Sequence, residues 1–98
     1  MKQERIAVIG GGISGLASAW LLGSRHEVTL FERNHYVGGH SNTLTVEGSR
    51  GPVTVDTGFV VFNERNYPEL TALFRHLDVA SQDTDMTFSA SVGDGRME

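Results

Sequence analysis

"AVIGGGISGLASAW", residues 7–20, decides the fold, and it can be read in three ways. It could be the apolar core of a membrane or secretion segment, the buried face of an ordinary helix, or a strand, loop and helix that hold a phosphate. Ile6 to Gly23 carries no charge over 18 residues, which meets the bare length test for a spanning helix. Ala17-Ser18-Ala19 also imitates a signal-peptidase site. Glycine argues against both: Gly10, Gly11, Gly12, Gly15 and Gly23 each cost roughly 1 kcal/mol relative to alanine inside a helix. Glu4 interrupts the basic leader, the apolar run opens with the β-type "IAVI", and the strand pattern "EVTLFE" follows at once. The third reading accounts for all of these.

Composition narrows the function classes. Ninety-eight residues suffice for one small domain, and 39% hydrophobic residues permit a modest core. Net charge is −4, and the eight Lys and Arg are scattered singly, so nucleic-acid binding lacks its basic footprint. Cysteine is absent, which excludes disulfides, thiolate metal sites and cysteine nucleophiles. With no sign of export or an oxidising compartment, a cytoplasmic location and no metal are expected. Twelve glycines exceed the usual ~7%, and they cluster, so backbone geometry at a few spots is what needs explaining.

Ile6 to Ile9 reads as a short buried strand, and Gly10-Gly11-Gly12-Ile13-Ser14-Gly15 fits G-x-G-x-x-G. Ile13, Leu16, Ala17, Trp20 and Leu21 recur at helical spacing to about Ser24, where Gly23 and Ser24 close the helix. Glu27 to Glu32 forms a second strand, completing a βαβ unit over residues 4–32. Gly10 permits the turn out of the strand, Gly12 lets a pyrophosphate approach the backbone, and Gly15 lets the helix pack closely. The first helical N–H groups and the helix dipole favour an anion there. Glu32, 22 positions after Gly10, stands where a carboxylate accepts hydrogen bonds from a ribose diol and repels a 2′-phosphate. The strand before, helix after and acid beyond give the glycine motif the context it requires. "GISG" is not G-x-S-x-G, so the sequence gives no support for a hydrolase nucleophile elbow at Ser14.

The loop at residues 33–43, "RNHYVGGHSNT", separates a flavin from a nicotinamide dinucleotide. A simple NAD-binding unit would pass from the second strand into another helix. Here a Gly38-Gly39 pair follows, then two short strands, "TLTVEG" and "PVTVDT", over residues 43–57 around a turn at Glu47–Gly51, which reads as an antiparallel hairpin. The whole resembles the flavin-containing amine oxidase and phytoene desaturase group. "GGHSNT", "VDTGFVVFNERNYPELTALFRHLDV" and "DMTFS" are most similar to bacterial NAD/FAD-binding amine-oxidase-like proteins. The likeness covers essentially the entire chain.

That resemblance implies an α/β fold: a Rossmann-like FAD/NAD(P)-binding βαβ with an inserted antiparallel hairpin, the N-terminal part of a larger two-domain flavoprotein. It implies that Gly10, Gly11, Gly12, Ile13, Ser14 and Gly15 hold the FAD pyrophosphate and that Glu32 binds the adenosine ribose with Arg33 beside it. Gly38 and Gly39 would pass close to the pyrophosphate and ribityl chain. His40 stands where many relatives have arginine, and either touches the flavin side or orders the loop. Thr57 and Gly58 match the segment passing the isoalloxazine ring.

Other titratable residues have plainer readings. His26 and His35 read as solvated loop residues and His76 as part of a polar helix face. Asp56 reads as a turn or cap residue, and Glu64 and Glu69 as a solvated face plus helix-start charge. Pro68, Leu70, Leu73, Phe74 and Leu77 mark an amphipathic helix over 67–77. The alternation Thr87–Val92 with Gly93-Asp94-Gly95 predicts the start of a further hairpin over 86–98.

The function expected is an FAD-dependent oxidoreductase in which hydride passes from substrate to flavin N5, with only the dinucleotide-binding portion present. Enzymes of the group are much longer, so a truncated or partial chain is expected, inactive alone. An amine or lipid-like substrate would meet the absent part. No residue qualifies as a catalytic acid or base. The alternatives are a non-catalytic adenine-dinucleotide-binding fragment and, less in keeping with the Gly38-Gly39 loop, an NAD-linked reductase subunit.

Overall fold

The computed structural model describes residues 2–93. The chain divides into two compact units, Met1–Val60 and Val61–Glu98.

In the first unit, strand β1 (Arg5–Ile9), helix α1 (Ile13–Gly23) and strand β2 (Glu27–Phe31) form a βαβ unit. β1 and β2 pair in parallel with Ile6 opposite Val28 and Val8 opposite Leu30. These four β-branched and leucine side chains are half-buried, and the pleat turns them to one face, where Val8 meets α1. Arg5, Ala7, Ile9, Glu27, Thr29 and Phe31 alternate onto the opposite, open face. The Arg5–Glu27 ion pair there spans 3.9 Å between exposed side chains and contributes little.

Helix α1 ends where the sequence reading placed its close, at Gly23 and Ser24. Gly23 lies inside its last turn, and Ser24 caps it in ordinary right-handed geometry, its hydroxyl donating to the Leu21 carbonyl at 2.9 Å. No described helix is long and apolar enough to cross a membrane.

Strands β3 (Asn42–Gly48) and β4 (Gly51–Gly58) form a separate antiparallel hairpin, with Gly48 opposite Gly51 across the two-residue turn Ser49-Arg50. Leu44, Val46, Val53 and Val55 share one face; Thr43, Thr45, Thr54 and Asp56 share the other. Asn42 pairs with Gly58 but Thr43 with Asp56, so Thr57 is the extra residue of a β-bulge. Asp56 is therefore a strand residue rather than a turn cap, and accepts a hydrogen bond from the Thr43 hydroxyl at 2.6 Å.

In the second unit, helix α2 (Pro68–His76) begins on Pro68, whose fixed φ and missing N–H suit a first turn. Glu69 near its start and Arg75 and His76 near its end complement the helix dipole. Glu64 lies 3.9 Å from Arg75. Phe62 meets Phe74 edge to face at 5.2 Å between ring centres. The helix ends on Asp78, which takes the left-handed φ of 56°. Its N–H donates to the Arg75 carbonyl at 3.3 Å and the Val79 N–H to the Phe74 carbonyl at 2.8 Å, the bond pair of a Schellman cap.

The further hairpin expected over 86–98 is not formed among the described residues. Thr87–Ser91 carry no strand and Val92 makes a single bridge. Residues 94–98 of that expectation lie outside the described residues. The core also departs from expectation: among the described residues no apolar side chain is fully buried, and Ile9, Phe31, Met86 and Phe88 are exposed.

Candidate functional site

The C-terminal edge of β1 and β2 gathers most of the residues singled out in the sequence. Gly10 leaves β1 with φ +99°, a conformation open to glycine, while its N–H donates to the Phe31 carbonyl at 2.8 Å and extends the parallel ladder by one bond. Gly15, two residues into α1, has the Gly10 carbonyl oxygen where a Cβ would stand, with Val8 beyond it at 3.5 Å. The closest approach at Gly15 is thus to the turn itself, rather than to the strand as the motif alone suggested.

Gly12 is the N-cap of α1, and no side chain caps it; the first turn has no acid. A Cβ on Gly12 would meet only the Gly39 α-carbon, at an ordinary 3.8 Å. Ile13 and Ser14 are exposed in the first turn. This helix end thus combines a positive dipole end with an open approach, the arrangement that receives anions.

Glu32 follows β2 immediately and is half-exposed. Its Oε2 accepts from the Gly11 N–H at 2.7 Å and its Oε1 from the Asn34 N–H at 3.0 Å. The Asn34 amide first, then the Gly11 amide, hold the carboxyl below the ordinary glutamate range; partial desolvation opposes them, and Arg33 assists. An ionised carboxylate offers about four lone-pair sites. With one used on each oxygen, each oxygen keeps one for an outside donor. That matches two hydroxyls of a vicinal diol.

The Gly38-Gly39 pair folds onto the same corner. The Gly38 N–H donates to the Gly11 carbonyl at 2.7 Å, and a Cβ on Gly39 would stand 3.0 Å from the Gly12 α-carbon. Both glycines have positive φ, +122° and +61°. His40 is exposed, and its carbonyl oxygen occupies the space where a Gly58 side chain would project. Thr57, bulged out of register, donates its hydroxyl to the Asn42 carbonyl at 2.8 Å. Phe59 follows at φ 52°, strained for an aromatic residue and adjacent to this junction.

The structure therefore brings Gly10, Gly11, Gly12, Gly15, Glu32, Gly38 and Gly39 to one corner, and joins His40 to Gly58 along the same loop. Arg33 lies exposed beside Glu32. His35 is exposed, whereas His26 is half-buried, its Nδ1 accepting from the Glu4 N–H at 3.2 Å. His26 lies in the loop between α1 and β2, as read, and its ring also partners the start of β1. Sequence reasoning missed Asn34 and the carbonyls of Phe31, His40 and Asn42. They act through backbone groups, which leave no residue-type signature. Val37 was also missed; its Cγ1 lies 3.2 Å from where a Gly11 Cβ would be.

Similarity to known proteins agrees with this geometry. The chain is 49% identical over 55 residues to the 4,4'-diapophytoene desaturase (4,4'-diaponeurosporene-forming) of Staphylococcus aureus strain Newman, and equally to those of strains USA300 and N315. Each match covers 52% of this chain and 11% of the relative, so the matched part is a small portion of those proteins. The model of the NAD(P)-binding Rossmann-like domain matches residues 8–77, which contain the end of β1, the glycine motif, α1, β2, the acid and the second glycine pair. The chain belongs to the NAD(P)-binding Rossmann-like domain family.

Proposed function

We propose that this chain is the dinucleotide-binding portion of an FAD-dependent oxidoreductase of the amine-oxidase/desaturase type, whose parent carries a second, substrate-binding domain. The observation that carries the reading is the Glu32 carboxylate, held at the glycine corner by the Gly11 and Asn34 amides with acceptor capacity to spare. In this reading the uncapped amides of Gly12, Ile13 and Ser14 bind the pyrophosphate, and Gly10 and Gly15 shape the turn that presents them. Glu32 accepts from both ribose hydroxyls, and Arg33 flanks the adenosine. His40, Thr57 and Gly58 line the side toward the isoalloxazine ring.

FAD is favoured over a nicotinamide cofactor by the Gly38-Gly39 loop and hairpin, and by likeness to proteins named as desaturases. That likeness also favours a lipid-like substrate over an amine. Bound FAD supplies hydride acceptance at N5 and reoxidation by a separate acceptor. The protein's share is to bind, orient and set the charge around it.

The visible spectrum of the purified chain tests this reading. Flavin bands, with FAD released on denaturation, are expected. A colourless protein that binds ADP would reduce the reading to a dinucleotide module without flavin, and retention of NADH in preference to FAD would overturn the flavin assignment.

A further inference from the structure

Gly11 is the "x" of G-x-G, a position the motif leaves free, yet it is the one buried residue described in the first unit. Both of its backbone polar groups are engaged by distant residues. Its N–H donates to Glu32 Oε2 at 2.7 Å, and its carbonyl accepts from the Gly38 N–H at 2.7 Å. A Cβ here would stand 2.9 Å from Glu32 Oε2 and 3.2 Å from Val37 Cγ1, so any side chain would displace the Glu32 carboxylate and crowd Val37. The adjacent backbones of Gly12 and Gly39 touch as well, where a Gly39 Cβ would come within 3.0 Å.

We propose that Gly11 is a positioning residue: its peptide groups clasp the Glu32 carboxylate and the 37–39 loop to the glycine corner before any ligand binds. Its amide is spent on Glu32, so the anion donors begin at Gly12. The role deepens the dinucleotide-site reading, on which it rests. A preassembled clasp leaves less ordering for the ligand to bring about, which raises affinity without adding a ligand contact. Because Glu32 and Gly38 grip opposite ends of one residue, release of either loosens the other.

Residue-resolved amide hydrogen exchange on the ligand-free full chain tests the clasp. In the wild type, the Gly11 and Gly38 amides exchange at least about tenfold slower than their unprotected rates. Intrinsic rates at either would overturn the proposal, with no variant involved. Glu32→Ala is expected to speed Gly11 exchange about tenfold and to carry Gly38 with it, while the Val8 and Thr29 strand amides hold their rates. Release of Gly11 with Gly38 unchanged would mean two independent bonds, and no clasp. Gly39→Ala, which removes no hydrogen-bonding group, is expected to release both amides and to weaken ADP binding about tenfold. Unchanged protection of both amides in Gly39→Ala contradicts the clasp. If the wild type fails to bind ADP, the dinucleotide reading falls, and the exchange rates still decide the clasp.

Discussion

Four glycines of the corner are held by different constraints, and substitution separates them. Gly15→Ala would drive a Cβ into the Gly10 carbonyl oxygen, a backbone atom that cannot swing aside. A destabilisation of at least about 3 kcal/mol is expected, the upper end of ordinary overpacking costs, read as a lowered denaturation midpoint. Gly12→Ala meets only an ordinary contact with Gly39 at φ −79°, and should stay within about 1 kcal/mol of wild type. Gly12→Ala is therefore the cleaner probe of ligand approach. Gly11 is held by its two neighbours, and Gly10 by its φ of +99°. Glu32 gives a pH signature at the same scale. Amide donors depress its carboxyl in the folded state, so its stabilising contribution is full above the ordinary glutamate value. That contribution drains away as pH falls through the lower, folded value. Carboxyl-carbon NMR should find a titration midpoint below that of glutamate in an unfolded peptide; a midpoint at or above it contradicts the two-amide grip.

Among the elements, α2 shows how a helix stops without glycine. Asp78 adopts φ 56° so that the Asp78 and Val79 amides can close the Schellman pair. Left-handed geometry penalises a side chain, though Asp less than most. Asp78→Gly should therefore stabilise the second unit by up to about 1 kcal/mol, glycine's larger unfolded-state entropy taking back part of the gain. A thermal midpoint lower than wild type would show that the Asp78 side chain contributes more than its strain costs. Legibility in the sequence follows the same physics. β1, α1, β2 and both hairpin strands stood out because apolar periodicity and glycine punctuation are local signals. Helix α2 was marked by Pro68 and its leucines. The Thr57 bulge was not legible, since it depends on register between strands, and neither was the Asp78 cap, which lacks the usual glycine.

At the scale of the whole molecule, the site was more legible than the core. G-x-G-x-x-G, Glu32 and Gly38-Gly39 converge because each sits where a strand ends or a loop returns, and those positions follow from the βαβ order. Burial does not follow so directly. Among the described residues no apolar side chain is fully buried, so stability leans on backbone pairing and on the half-buried face between α1 and the β1–β2 sheet. Hydrophobic burial is ordinarily the dominant favourable contribution, so a ligand that binds only the folded form should raise the midpoint visibly and in a concentration-dependent way. In the proposed function this corner receives a diphosphate on the α1 amides and a ribose on Glu32. Calorimetric titration of ADP into the full chain tests it most directly: binding is expected in the wild type, about tenfold weaker in Glu32→Ala and weakened again in Gly12→Ala, which keeps the wild-type fold. Equal affinity across the three proteins, or no heat of binding to any of them, would contradict it.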